Sequence, residues 1–214
     1  MMFDEIFYRW SLKKVEKDRE LLKKLRFPFK TIESNSISNQ EKRDVLINWY
    51  RYSWSLNKFA NSTSRERRKA KKLAEPYLEK YFKSICPETG SFYGYKKAWC
   101  CINLSDKEEY SEAIVTLKIP ENALRTNGFD RKCRCNKAIV VGITAVKLKK
   151  GTHHDRYVTT GNVSMARSDH DPHFYYCIGQ EVKVRNFNKN RWETCSRGIH
   201  FFLTREEAEQ YCIY

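Results

Sequence analysis

Cys133-Arg134-Cys135, Cys195 and His200 are the residues of this 214-residue chain whose types and spacing suit a metal. In a strand, residues two apart point to the same face, so Cys133 and Cys135 can both approach one ion. Cys195 and His200 would supply two further ligands from a later turn and strand. Three thiolates and an imidazole make a closed tetrahedral set suited to structural Zn2+. The plainer reading is of small buried thiols and a hydrogen-bonded core histidine. Cys177 is a substitute ligand. Cys100 and Cys101 are adjacent, face opposite sides of a strand and are poor joint ligands. Cys195 or Cys177 with His200 also has the composition of a nucleophile–base pair, but no residue nearby is placed to orient the base.

Asp169-His170-Asp171-Pro172-His173, with His153-His154 upstream, is a second grouping. Carboxylates and imidazoles can bind a metal or move protons. Nothing in their spacing orients them together, and a solvated connection is the plainer reading.

The third grouping is Arg65-Glu66-Arg67-Arg68-Lys69-Ala70-Lys71-Lys72, six of eight residues basic, at the start of a helical pattern. Preceded by another helix and a short turn, it has the order of a helix-turn-helix unit, although the turn Asn61–Ser64 lacks a glycine. Arg65, Arg67, Arg68, Lys69, Lys71 and Lys72, with Arg51 upstream, are then the expected phosphate contacts. Trp49, Tyr50, Tyr52 and Trp54 flank Arg51; part of this aromatic set belongs to a core, and the rest can stack on bases. The alternative is a solvated basic helix face.

The elements that must position these groups are legible from periodicity. Residues 3–26 read as a helix ending before Pro28, with Phe3, Phe7 and Trp10 beginning its apolar stripe. A loop covers 29–40. Ser38 with Glu41 is a capping box, and Val45, Trp49, Tyr52, Leu56 and Phe59 follow at helical spacing. Thr63 with Glu66 opens a third helix running to about Phe82, with Pro76 inside it as a point of kinking or division. After Gly90 the period changes to two. Strands are expected at Phe92–Tyr95, Ala113–Ile119, Ala138–Leu148, Glu181–Phe187 and Ile199–Leu203. Short helical turns are expected at 120–123 and 204–211, the latter opened by a Thr204/Glu207 capping box. Gly198 sits where the chain turns into the Ile199 strand. Residues 149–173 read as a long exposed loop. The fold expected is α+β: a basic helical domain over 1–89, then a mostly antiparallel β domain over 90–214 with a short C-terminal helix.

The second half also carries a resemblance. The strings GSFYGYKKAW from Gly90, IVTLKIPENALR, RKCRCNKAIVV and YCIGQEVKVRNFNKNRWETCSRGIHFF, continuing to the C-terminus, resemble an uncharacterised domain found after pentapeptide repeats in phage, bacterial and large-DNA-virus proteins. The resemblance implies a fold unit and a viral or phage-like origin, and it brings no activity with it. A basic helical segment stands here where the repeats usually stand.

Composition sets the remaining bounds. Lys+Arg 41 against Asp+Glu 26 gives a net charge of +15. About +9 of this falls in 1–89, leaving +6 for the rest. Such an excess points to an acidic partner, nucleic acid first. No signal peptide and no 18-residue apolar run is visible, so a non-secreted protein without membrane spans is expected, in the host cytoplasm, nucleus or a virion. Eight cysteines in such a chain point to free thiols or metal rather than disulfides. The leading expectation is a non-enzymatic nucleic-acid-binding protein, DNA before RNA, with a protein contact available to the C-terminal domain. One alternative is an enzyme similar to ADP-ribosyltransferases, because the GIHFF turn resembles their GIYF turn; Tyr93 or Tyr95 would then stack on the ligand. Another is a host-protein-binding module without catalysis. No P-loop, H-E-x-x-H or G-x-S-x-G string is present.

Overall fold

The computed structural model describes residues 2–52, 62–104, 107–149 and 156–212; for 2–10, 52, 102–104, 107–109, 148–149 and 156–157 it describes the backbone alone. The chain divides into two compact units, Met1–Lys83 and Ser84–Tyr214. This boundary lies a few residues before the expected one at 89/90. Ser84 and the Ile85 amide both hydrogen-bond Asn127 Oδ1, and Arg125 donates to the Gly90 and Glu88 carbonyls. Those bonds tie 84–90 to the β unit.

The first unit contains α1 (Met2–Lys24), α2 (Phe29–Glu33), α3 (Asn39–Tyr52) and α4 (Ser64–Tyr81). Helix α1 stops in a Schellman motif. Arg26 adopts φ 54°, the Phe27 amide bonds the Leu22 carbonyl, and the Arg26 amide bonds the Lys23 carbonyl. Both expected capping boxes are present: Ser38/Glu41 opens α3 and Thr63/Glu66 opens α4. Helix α4 runs unbroken through Pro76, because packing holds a turn from which one hydrogen bond is missing. Leu25, Leu46, Ala74 and Leu78 are buried, and Phe27, Phe29, Trp49 and Tyr77 form an aromatic cluster around them. Each fully buried leucine contributes about 1.5–3 kcal/mol.

In the second unit all strand pairs are antiparallel. Strands β1 (Phe92–Leu104), β2 (Lys107–Ile119), β5 (Lys137–Lys149), β6 (Arg156–Asn162), β7 (Met165–Arg167) and β8 (Tyr175–Cys177) form a sheet in the order β6-β5-β2-β1-β7-β8. Strand β9 (Glu181–Lys183) also pairs with β5. Strands β3 (Arg125–Asn127), β4 (Cys133–Cys135) and β10 (Ile199–Phe201) make a smaller sheet in the order β10-β4-β3. The short helix α5 (Arg205–Gln210) follows β10, opened by the Thr204/Glu207 capping box. Residues 149–173, expected as a loop, contain β6 and β7. These are outlying polar strands whose side-chain pattern has little apolar alternation.

One feature of β1 prepares the site. Its free edge is shared. At Tyr95 it exchanges both backbone hydrogen bonds with Phe202, just past β10. At Trp99 it pairs with Arg167 of β7. The segment 96–98 lies between these two neighbours, where the β1 edge parts company with one and has not yet met the other. Gly94 is required nearby: a Cβ there would run into the Phe201 ring.

Candidate functional site

A cavity of about 1010 Å³ opens at this split edge. Lys96 from β1 lies at its back. One side is the β7–β8 hairpin with Asp169, His170, Asp171, Phe174 and Tyr176. The other is the segment from Arg185 to His200, followed by Phe202, with Lys132 and Tyr211 completing the lining.

Lys96 belongs to the face of β1 that carries Phe92, Gly94, Ala98 and Cys100, the core side of the sheet. Burial, with the charge of Lys132 nearby and only Asp169 opposing, lowers its ammonium to about 8. Its Nζ lies 6.0 Å from the centre of the Tyr176 ring. Lys132 lies 5.2 Å from the Tyr211 ring. Asp169 accepts a 2.8 Å hydrogen bond from Trp99 Nε1, which fixes the carboxylate. Lys97 also borders the cavity, although it leaves β1 on the other face, and it is paired with Glu112 at 3.1 Å.

His200 Nε2 lies 3.0 Å from the Ser196 carbonyl. A carbonyl can only accept, so Nε2 carries the proton and donates. Burial, then the charges of Lys132 and Lys96, lower this imidazole to about 4, so at neutral pH it is uncharged. The segment that supplies Ser196 is held from inside. Arg134, 1 % exposed, donates to Ser196 Oγ and to the Asn190 carbonyl, the latter at 2.8 Å. Its guanidinium also lies over the Phe187 ring. Gly198 is tight because of packing: a Cβ there would press on Arg134 and Phe187 at 3.2 Å.

The strand register sorts the four residues of the metal expectation by face. Cys133 stands opposite Phe201 and Cys135 opposite Ile199, whereas His200 stands opposite Arg134. Opposed residues share a face and neighbours alternate, so the two thiols leave one side of the small sheet and His200 leaves the other. Cys133 and Cys135 are fully buried in the core with Ile199 and Phe201. A hydrogen bond with Cys86 and burial push the Cys133 thiol up, and burial pushes Cys135 up to about 12. Cys195 lines the cavity with His200. The four residues are therefore divided two and two. Among the described residues no group of three or more His, Cys, Asp or Glu is arranged to hold a metal ion. Cys177, the substitute ligand, ends β8.

The Asp169-His170-Asp171 grouping has a better place than its spacing suggested: all three line the same cavity as His200. His153 and His154 lie outside the described residues. Of the proposed stacking residues, Tyr93 is exposed and Tyr95 packs with Ile114, Val146 and Ala208; neither lines the cavity. Lys96, Lys132 and Tyr176, which do, were not singled out by sequence. A lysine among core-facing residues at period two is the signal that marked Lys96.

The basic helix is also sorted by the structure. Arg65, Arg68, Lys69 and Lys72 fall at i, i+3, i+4 and i+7 on one exposed face of α4. Lys69 is paired with Asp18 at 2.6 Å. Arg67 lies on the buried face, 5 % exposed, and donates to the Ser62 carbonyl at 2.6 Å and to Ser64 Oγ at 3.0 Å. It is a structural residue and has no surface to offer a phosphate. Lys71 lies over the Tyr50 ring at 4.3 Å. Arg51 is exposed, while Trp49 and Tyr50 are core residues; Trp54 and the turn at Asn61 lie outside the described residues.

Fold and site together define an α+β protein with a cation- and aromatic-lined cavity in its β unit. The chain belongs to a family of unknown function, DUF5758, matched over residues 82–208. That span covers the β unit nearly whole and every cavity residue named above except Tyr211. The chain is also 36% identical, over 135 residues, to an uncharacterized protein of Acanthamoeba polyphaga mimivirus, covering 55% of this chain and 81% of that one. A viral protein is thus among the relatives of this chain, in keeping with the resemblance. No solved structure matches the chain. No helix among the described residues is long and apolar enough to cross a membrane.

Proposed function

We propose that the protein is a non-enzymatic nucleic-acid-binding protein that grips duplex DNA through its helical unit. The observation that carries this reading is the stripe of Arg65, Arg68 and Lys72 on one exposed face of α4, in a chain of net charge +15. Three cations at helical spacing, with Arg51 also exposed, suit the closely spaced charges of a phosphate backbone. The contacts are to phosphate, so binding is insensitive to base sequence.

The test is fluorescence anisotropy of the full chain with duplex DNA across a salt series. Binding should weaken steeply with salt. Replacing Arg65, Arg68 and Lys72 together by alanine should reduce the slope of log affinity against log salt by about 2 to 3, roughly one unit per lost phosphate contact. Absent binding, or a slope unchanged in the triple variant, overturns the proposal.

A further inference from the structure

We propose that the cavity of the β unit binds a phosphorylated ligand bearing a planar ring, of the nucleotide class. The cavity presents the two halves of such a ligand's chemistry together. Lys96 and Lys132 both line it, and the cavity's carboxylates are few: Asp169, already bonded to Trp99, and Asp171, which accepts the His173 amide. Arg185 and Arg197 add further positive charge to the lining. A dianionic phosphate offers these cations strong charge-assisted hydrogen bonds.

The ring half comes from the aromatic walls. Half-buried Phe174 forms one pair with the core residue Tyr176, ring centres 5.2 Å apart, and Phe202 and Tyr211 form another at 5.4 Å, so Phe174, Phe202 and Tyr211 are the rings with surface to present. Lys96 lies over a ring of the first pair and Lys132 over a ring of the second. A cation beside an aromatic surface, twice in one cavity, matches phosphate beside a base. The volume of about 1010 Å³ is at the upper end of small-ligand pockets and leaves room for a whole nucleotide. Burial first, and then the charge of Lys132, hold both Lys96 and His200 below their ordinary proton affinity, and an arriving anion would offset that charge.

This inference stands apart from the DNA reading, which uses the other unit. The same chemistry has two sources, a free nucleotide or the phosphorylated end of a strand, and the test separates them. The full chain is titrated calorimetrically with nucleoside 5′-monophosphates, a 5′-phosphorylated dinucleotide, adenosine and inorganic phosphate. In parallel, alkylation of Cys195 by iodoacetamide is followed by peptide mass mapping, with the exposed Cys101 as reference. A phosphorylated nucleoside should bind better than adenosine or phosphate and should slow alkylation of Cys195, leaving Cys101 unchanged. Preference for the dinucleotide assigns a strand end, and preference for the monophosphates assigns a free ligand. Lys96→Met and Lys132→Gln should each weaken binding about tenfold. The Arg65/Arg68/Lys72 alanine variant should bind as the wild type does. If a lysine variant does not fold, protection of Cys195 in the wild type decides. No binding of any phosphorylated probe at millimolar concentration, equal binding of phosphate and nucleotide, or affinity unmoved by both lysine changes overturns the proposal.

Discussion

Arg134 and His200 stand directly opposite one another on adjacent antiparallel strands, so their side chains leave the small sheet on the same side. Arg134 then holds Ser196 by its hydroxyl, and Ser196 holds His200 by its carbonyl. The buried guanidinium is thus the support for the wall of the cavity.

Arg134→Leu should loosen that wall. Truncating a hydrogen-bonded, buried cation leaves the Asn190 carbonyl and Ser196 hydroxyl without their donor, at a cost of about 2–4 kcal/mol. Hydrogen exchange should accelerate in 188–197 well before it accelerates in β2 or β5. Uniform acceleration across the unit would contradict the role of support.

His200 sets a pH dependence of stability. Its folded-state value of about 4 lies below the ordinary imidazole value near 6.5. Between these values the unfolded chain binds more protons than the folded one, so stability falls as pH drops from about 6.5 to about 4 and changes no further on this account below it. The expected loss is about 1–3 kcal/mol. Denaturant melts at a series of pH values should show the slope, and His200→Gln should remove it.

Lys96 governs the ligand from the other side of neutrality. It faces Lys132 from the segment before β4, His200 from β10, and Asp169 and Tyr176 from the β7–β8 hairpin. Below about pH 8 its ammonium is charged, and above it the charge is lost. Affinity for a phosphorylated probe should therefore decline as pH rises through about 8. Affinity constant from pH 7 to pH 9.5 would remove Lys96 from the contact.

Arg67 and Arg68 are neighbours on different faces of α4, the first buried and the second exposed. Arg67→Ala removes buried hydrogen bonds at the start of α4 and should cost about 1–3 kcal/mol, leaving the salt dependence of DNA binding unaltered. Arg68→Ala should leave the melting midpoint within about 0.5 kcal/mol of wild type and lower the salt slope by about one. Thermal melts beside the anisotropy series test both.

Gly94→Ala should destabilise the β unit by about 1–3 kcal/mol, since the added methyl must displace the buried Phe201 ring. Gly94→Ala combined with Phe201→Leu should recover part of the loss, and a strictly additive double variant would argue against that contact.

The capping boxes at Ser38, Thr63 and Thr204 were legible because each is a local pattern of fixed spacing. The change of period at Gly90 likewise announced the β unit. Cys133 and Cys135 were rightly placed on one face. That His200 leaves the other face of the small sheet is not legible, because face-sharing between strands depends on register, and a shift of one residue moves every side chain to the other side. Register is decided by pairing between β4 and β10, about 60 residues apart. The cavity was illegible for a related reason: its lining comes from β1, the β7–β8 hairpin and the segment before β10, none of which carries a motif by itself. Arg67 looked like its basic neighbours because charge composition does not record which face of a helix is buried.

The divided edge of β1 has one more consequence. Its two anchor points, Tyr95 with Phe202 and Trp99 with Arg167, are set by backbone ladders and do not depend on which side chains fill the gap between them. The cavity is thus a frame with exchangeable inserts. Substitutions at exposed lining positions, such as His170, Arg185 and Arg197, can change the lining without rebuilding the frame. The opening is therefore a property of the backbone, and its chemistry a property of the residues set around it.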